Sequence, residues 1–359
     1  MLHTTAGRVT DVRKLDERTL ECQVEAGGER RKALAYIDLC GEIAAGDEVV
    51  VNTTAVDLGL GTGGYDFVVC SLSKRGEVKN ESPGHIMKLR YTPLQHSAEC
   101  EEETAGEDAA IADLAGMPVV AAGLHSHIAL IAAGVKAKEP DARIAYAMTD
   151  GAALPIQFSN LVRALEDARL IDDTITCGQA FGGRREAVNV YSALAAAREA
   201  SKASVTIVCQ GPGNVGTSTG LGFSAIEAGQ IINAAHSLKG RPVLSLRMSK
   251  ADKRERHRLI SHHSLTVLSR VALAGTMAVL PFMDADDQQE AYRQLQSLKL
   301  FEHHEIRSFD GAPGVALLKE RGLKLESMGR GYDDDPLFFL AASAAGRCAA
   351  SMLSKDFWG

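Results

Sequence analysis

Between residue 7 and about residue 93, apolar and polar positions alternate in short bursts separated by Gly, Asp and Asn. "RVTDVRKLDERTLECQVEAG" runs into a turn at Gly27-Gly28, and "RRKALAYIDLCG", "GDEVVVNTTAVDLGLGTGGYDFVVCSL" and "HIMKLRYT" follow. Strand-length bursts recurring roughly every 8–12 residues predict a small all-β barrel or sandwich, assigned to residues 1–93. The pattern then breaks. "QHSAECEEETAGEDAAIADLAG" is acidic and reads as a linker or surface insertion over 94–116.

From Met117 onward short apolar runs alternate with amphipathic stretches of helical length. The runs are "PVVAAGL", "RIAYAMT", "DTITCG", "SVTIVCQ", "PVLSLRM", "TMAVLPF", "EIRSF" and "LKLESM"; "LPIQFSNLVRALEDARL" and "EAVNVYSALAAAREASK" exemplify the helices. Strands alternating with helices predict repeated βα units and a predominantly parallel sheet over 117–359. The reading favours an open, doubly wound, Rossmann-like sheet, because "DGAPGVALLKERG" is short for an outer barrel helix; a TIM barrel is the alternative. Both place ligands at the C-terminal ends of the strands.

Polar and glycine residues concentrate at those strand ends. "GPGNVGTSTGLG", residues 211–222, carries five glycines in twelve positions between a predicted strand and a predicted helix. Gly211, Gly213 and Gly216 satisfy G-x-G-x-x-G, the spacing that lets backbone N–H groups converge on a phosphate. The run lies in the fourth βα unit, further glycines follow, and "LSLRMS" supplies no acidic residue for a ribose. Anion binding is therefore preferred to a nicotinamide dinucleotide or a purely structural turn, with Asn214 and Thr217 as added donors. No cofactor is assigned.

A second stretch, "SKADKRERHRLISHHS", is basic. Asp252 and Glu255 match a D-x-x-E capping box and predict a helix starting there. Lys253, Arg254, Arg256, His257 and Arg258 would then oppose the macrodipole, a cost that an anion nearby would offset. Arg247, Arg254 and Arg256 are accordingly expected to supply charge to the ligand. On a helix His257 would lie beside Ser261, but not beside His262 or His263.

His125 and His127 are one residue apart at a strand end, so in extended chain both rings face one side. This is similar to metal-dependent amidohydrolases, but "LRMS" and "PFMD" stand where further histidines would end the fifth and sixth strands. A metal at His125 and His127 is the alternative reading. Cys177, followed by glycine, is a candidate nucleophile against a buried core role. Asp150 is a candidate general base, with capping of the next helix as the rival role. His257 completes the reactive candidates. Whether the protein is an enzyme is left open.

Composition narrows the partners. The 359 residues carry a net charge of −7 with 24% charged and 45% hydrophobic residues, which argues against general nucleic-acid binding. Aromatic residues make up 5%, so the core must rest on Ala, Val, Leu and Ile. Seven scattered cysteines without a CxxC fit a reducing, cytoplasmic setting. "MLHTTAGRVTDVRK" has no apolar signal-peptide core, and the longest apolar stretches are broken by His or Arg, so no membrane association is expected. The Ala-rich "FFLAASAAGRCAASML" suits either core or homodimer packing.

"MTDGAALP", "TCGQAFGGRREAVNVYSAL", "GPGNVGTSTGLGFSAIEAGQIINAA", "RERHRLISHHSLTVLSRVAL" and "GLKLESMGRGYDDDPLFFLAASAAG" together resemble an uncharacterised bacterial family, domain of unknown function 3866. The resemblance spans nearly the whole chain and implies a bacterial, cytosolic, non-membrane protein. It brings no activity and no catalytic residue. From the residues alone, the expectation is a protein that binds a small anionic or phosphorylated molecule at the strand-end rim. A non-catalytic binding or scaffold protein is the rival, and a metal-dependent hydrolase the third reading.

Overall fold

Val9, Cys22, Val24, Ala33, Ala35, Val49, Val51 and Val68 point inward from five strands and form one apolar cluster. The strands are β1 (Thr4–Asp16), β2 (Thr19–Ala26), β3 (Glu29–Tyr36), β4 (Glu48–Asn52) and β5 (Asp66–Ser71), closed into a barrel in the order β1-β2-β3-β5-β4. β1 serves both edges: Gly7–Asp16 pair with β2 while Thr4–Arg8 pair with β4. At the shared point a Cβ on Gly7 would lie 2.7 Å from both Ala26 Cβ and Val24 Cγ1, so only glycine lets the strands approach there. Gly27 and Gly28, with φ of 60° and 83°, make the tight turn between β2 and β3; two positive values are what a two-residue hairpin needs.

The computed structural model describes residues 2–74, 83–105 and 113–358. They divide into two units, 1–98 and 99–359. Part of the acidic stretch, 106–112, lies outside the described residues. Within the remainder, Glu101 pairs with Arg185 at 2.8 Å and Glu102 accepts from Val188 N at 2.9 Å, so the first acidic residues are tied to the second unit.

The second unit is an open sheet of eight parallel strands, not a TIM barrel. In chain order these are β6 (Pro118–Ala122), β7 (Ile144–Thr149), β8 (Asp173–Cys177), β9 (Arg185–Ala187), β10 (Val205–Gln210), β11 (Arg241–Ser245), β12 (Met277–Pro281) and β13 (Glu305–Phe309). Their order across the sheet is β9-β8-β7-β10-β6-β11-β12-β13. β6, β7, β8 and β10 are buried at every position, as a parallel sheet covered on both faces requires.

The two faces feed separate cores. Val120, Ala122, Tyr146, Met148, Ile207 and Cys209 meet helices α1 (His127–Lys136), α2 (Asn160–Asp167), α6 (Ala312–Glu320) and α7 (Pro336–Ser351). Val119, Ala121, Ala147, Val208 and Leu244 meet α3 (Val190–Glu199), α4 (Glu227–Ser237) and α5 (Ala285–Ser297). The alanine-rich α7 is core: it packs against α1 so closely that a Cβ on Gly134 would overlap Ser343 O and one on Gly346 would overlap Ile131 O. Small residues let the helix backbones touch, so the low aromatic content costs no packing density.

Two expected elements differ. "LKLESM" does not join the sheet; Glu326–Ser327 pair only with Arg330–Gly331 in a hairpin, while Leu323 and Leu325 lean on the core from outside. The eighth strand is instead Arg185–Ala187. Nor does a helix begin at Asp252: after β11 a short antiparallel pair, Met248–Ser249 with Leu259–Ile260, encloses a loop with one 3₁₀ turn at Glu255–His257.

Among the described residues no helix is long and apolar enough to cross a membrane.

Candidate functional site

The chain leaves β6 through α1 on one face and leaves β10 through α4 on the other. β6 and β10 are neighbours, so a crevice opens between their C-terminal ends, the place where open α/β sheets hold ligands. Two groups of polar side chains lie at this rim.

The first group lies at the ends of β6, β7 and β10. His125 Nε2 is 2.6 Å from Ser159 Oγ, and His125 Nδ1 is 3.3 Å from Gln210 O. The Tyr146 hydroxyl, also 3.3 Å from Nδ1, donates to the Cys209 and Gln210 carbonyls, and a carbonyl only accepts, so Nδ1 carries the proton and bare Nε2 receives the serine O–H. Ser159 Oγ in turn accepts from Val162 N at 3.1 Å, capping α2. Burial pushes the His125 imidazole down to about 4.

Glu227, the first residue of α4, accepts from Thr149 Oγ1 at 2.6 Å. Its pKa is raised to about 7, chiefly by burial and further by the charge of Asp150. The Gln210 side chain is buried, and neither its Nε2 nor its Oε1 has a partner among the described residues. A Cβ on Gly151 would stand 2.8 Å from both Gln210 Oε1 and Glu227 Oε2, so glycine there keeps these groups uncovered.

The second group lies beyond β11. Arg247 is 7% exposed. Its Nη2 donates to Asp252 Oδ2 at 3.1 Å, and the same oxygen accepts from Arg254 Nη2 at 2.8 Å. The Arg254 hydrogen bond above all holds the Asp252 carboxyl far below its usual range. Arg247 Nε has no partner among the described residues, and burial lowers the guanidinium pKa.

Beside Arg247 stand His257, His262 and His263, with one ring nitrogen from each within 4.8 Å of the others. His257 Nδ1 is 2.7 Å from Ser261 Oγ. His263 Nδ1 is 3.5 Å from Arg247 Nη1, and its ring stacks on Phe223 at 3.9 Å between centroids. Burial lowers all three imidazoles, to about 4 for His257 and about 3 for His263, with the neighbouring charges adding to the effect. A small cavity lined by Gly123, Leu124, Ala225, Arg247, His263 and Ser264 lies here.

The glycine run does not have the dinucleotide geometry. Gly211 is buried, and a Cβ there would overlap Ala153 O. Gly213 through Leu221 are exposed, with Gly213 at φ 104°. The loop folds on itself: Asn214 Oδ1 accepts from Ser224 Oγ at 2.6 Å, Thr217 N donates to Gly222 O at 2.7 Å, and Gly216 bridges to Phe223. A 3₁₀ turn at Ser224–Ile226 separates the glycines from α4, which starts only at Glu227. The loop reaches the histidines through Phe223.

Other expected site residues are placed as follows. Arg254 and Arg256 are exposed, on the same loop as the buried His257. Asp150 is exposed and caps no helix; its Oδ2 accepts from Gln179 N at 2.9 Å, and Ser159 does the capping. Cys177 is 2% exposed in the apolar core at the end of β8. His125 and His127 do not converge, because the chain turns into α1 between them. His127 instead lies 3.0 Å from Ser245 Oγ and against the Phe338 ring.

Sequence reasoning missed Glu227, Gln210 and Ser159, and it separated three histidines that the fold brings together. A glutamate in a first helical turn reads as an ordinary dipole partner. Its setting among small residues, "SAIEAGQ", was the one available sign that it packs inward.

Comparison with curated proteins gives no match. The family model described as "Protein of unknown function (DUF3866)" matches residues 32–346. That span takes in the eight parallel strands, both polar groups and, of the barrel, β4, β5 and the end of β3, and the chain belongs to this family.

Proposed function

We propose that the protein binds a small anionic molecule, carboxylated or phosphorylated, at the C-terminal rim beside β6 and β11. Arg247 is the observation that carries this reading. Its charge is almost wholly withdrawn from water, and Asp252, its one carboxylate partner among the described residues, is shared with Arg254. A buried charge without full compensation is costly. An incoming anion would supply both the missing counter-charge and an acceptor for Arg247 Nε. The ring nitrogens of His257, His262 and His263 gather at the same place, and Arg254 and Arg256 supply a positive field at the entrance. The exposed N–H groups of Gly213, Asn214 and Gly216 remain in reach of a larger ligand.

A second reading, in which the bound molecule also reacts, is favoured by Glu227. A carboxyl titrating near neutrality beside an unpartnered amide is equipped to take and return a proton. His125 and Ser159 stand at the same crevice.

Thermal shift against inorganic phosphate, simple carboxylates and sugar phosphates tests the binding reading. Wild type is expected to gain stability with at least one of them. Arg247→Met, which keeps the apolar stem, is expected to gain none. Without ligand the variant should stay within about 1 kcal/mol of wild type, because Asp252 keeps Arg254 and no charge is stranded. No stabilisation of wild type by any of these anions would end the proposal.

A further inference from the structure

We propose that His257, His262 and His263 form a binding site for a divalent first-row transition metal, of the zinc and cobalt class that imidazole ligands favour.

The argument is geometric and independent of the anion reading. Three ring nitrogens already lie within 4.8 Å of one another before any ion draws them together. His257 Nε2 and His262 Nε2 are buried and have no hydrogen-bond partner among the described residues. Buried polar atoms in native proteins are nearly always satisfied. Two unsatisfied imidazole nitrogens in one cluster therefore need a common partner, and a metal ion supplies it.

The surroundings support the ligand role. The second ring nitrogen of a metal-bound histidine normally makes a fixing hydrogen bond. His257 Nδ1 does so with Ser261 Oγ, which also accepts from His263 N at 3.2 Å and so aligns the start of the short helix His262–Thr266. Leu259, at φ 58°, makes the bend that folds His257 back over this helix. That conformation is costly for a leucine. The helix continues into one π-helical turn, Val267–Val271, a distortion frequent at functional sites.

Three neutral ligands leave the ion's charge intact, and Arg247 is close by. A bare cation would be repelled, so the fourth position is expected to hold an anion: hydroxide, a carboxylate or a phosphate. Three histidines with an open fourth position is the ligand count of a catalytic rather than a structural site.

Titration of the metal-free full chain with Co²⁺, in buffer without phosphate or carboxylate, tests the site through visible ligand-field absorption. Wild type should saturate at one equivalent with the intensity of a four-coordinate ion. His262→Ala changes a part-buried side chain and should leave the fold intact by circular dichroism. It should weaken binding by more than about 100-fold, beyond the loss expected from an outer-shell change. His262→Cys should restore binding and add a thiolate-to-cobalt charge-transfer band in the near ultraviolet. The exposed His236→Ala and His303→Ala should bind as wild type does. Absence of a ligand-field band in wild type would overturn the proposal. So would equal affinity in His262→Ala, or a His262→Cys variant that binds cobalt without the charge-transfer band.

Discussion

The polar groups on the two sides of β6 differ in how they are built. On the β7–β10 side, Thr149, Gln210 and Gly211 are strand ends or their direct continuations, and the sheet register fixes their positions. On the β11 side, Arg247 is still anchored near a strand, but Asp252 and His257 come from an irregular excursion closed by a two-residue antiparallel pair, and His262 and His263 from the short helix that follows it. Both sides leave buried polar atoms without a partner among the described residues, Gln210 on the first and Arg247, His257 and His262 on the second. The first side carries no cation and has a carboxyl of raised pKa, whereas the second is cationic. The difference teaches where stability and binding separate: residues locked into the sheet hold the fold, whereas the excursion carries uncompensated charge that only a ligand would relieve.

The largest effect should come from breaking the locked side at Gly211. Its added Cβ would overlap Ala153 O, a backbone atom that cannot move without disturbing the start of the segment leading to α2. Gly211→Ala is expected to cost about 3 kcal/mol in denaturant unfolding. Gly213, two residues on, has φ 104° but open space around it. Gly213→Ala should cost only about 1 kcal/mol, from backbone strain alone. Equal costs would erase the distinction between the buried and exposed ends of the glycine run.

Glu227 sharpens the comparison through pH. Its folded pKa of about 7 lies above the ordinary glutamate value of 4.5, so the folded protein holds this proton more tightly than the unfolded chain. Its contribution favours folding below about pH 4.5 and is lost as the pH climbs through 7. Glu227→Gln removes the titration. Urea unfolding near pH 8 should show the variant more stable by about 2–3 kcal/mol, and near pH 4 the gain should vanish. A gain of the same size at both pH values would mean that the wild-type carboxyl titrates alike in folded and unfolded chains.

How much of this was legible in the chain follows the same division. The positions of strand ends such as those at Thr149 and Gly211 were legible because parallel strands are continuous apolar runs, and the first polar or glycine residue marks the rim. "LKLESM" misled because Leu323 and Leu325 alternate like a strand; they cover the core from outside, and Gly322, Met328 and Gly329, all with positive φ, turn the chain away from the sheet. Arg185–Ala187 was hidden because three residues beside a helical pattern give no period. The Asp252 capping box failed because the carboxylate takes the backbone N–H two residues on, at Arg254, together with the Arg247 and Arg254 guanidinium groups, and closes a loop turn instead of starting a helix. The histidine cluster was unreadable for a related reason. Spacings of five and six exclude a shared helix face, but a leucine in the left-handed region bends the chain so that the rings meet, and no propensity anticipates that bend.

The smallest expected effect tests whether the His125–Ser159 pair belongs to the fold or to the crevice. Ser159 has two roles: its oxygen caps α2 through Val162 N, and its hydroxyl proton goes to His125 Nε2. Ser159→Ala removes both, whereas Ser159→Asp keeps a capping acceptor but has no proton to give. Loss of a cap costs about 1 kcal/mol, so Ser159→Ala should be destabilised by that amount. If the pair matters only as a cap, Ser159→Asp should recover it at every pH. If His125 needs the donated proton, Ser159→Asp can recover it only where the imidazole is charged. The His125 pKa of about 4 should then rise toward that of an ordinary histidine beside the new carboxylate, which NMR titration of the ring protons would detect. An unchanged His125 titration in Ser159→Asp would separate the two side chains and return Ser159 to a purely structural part.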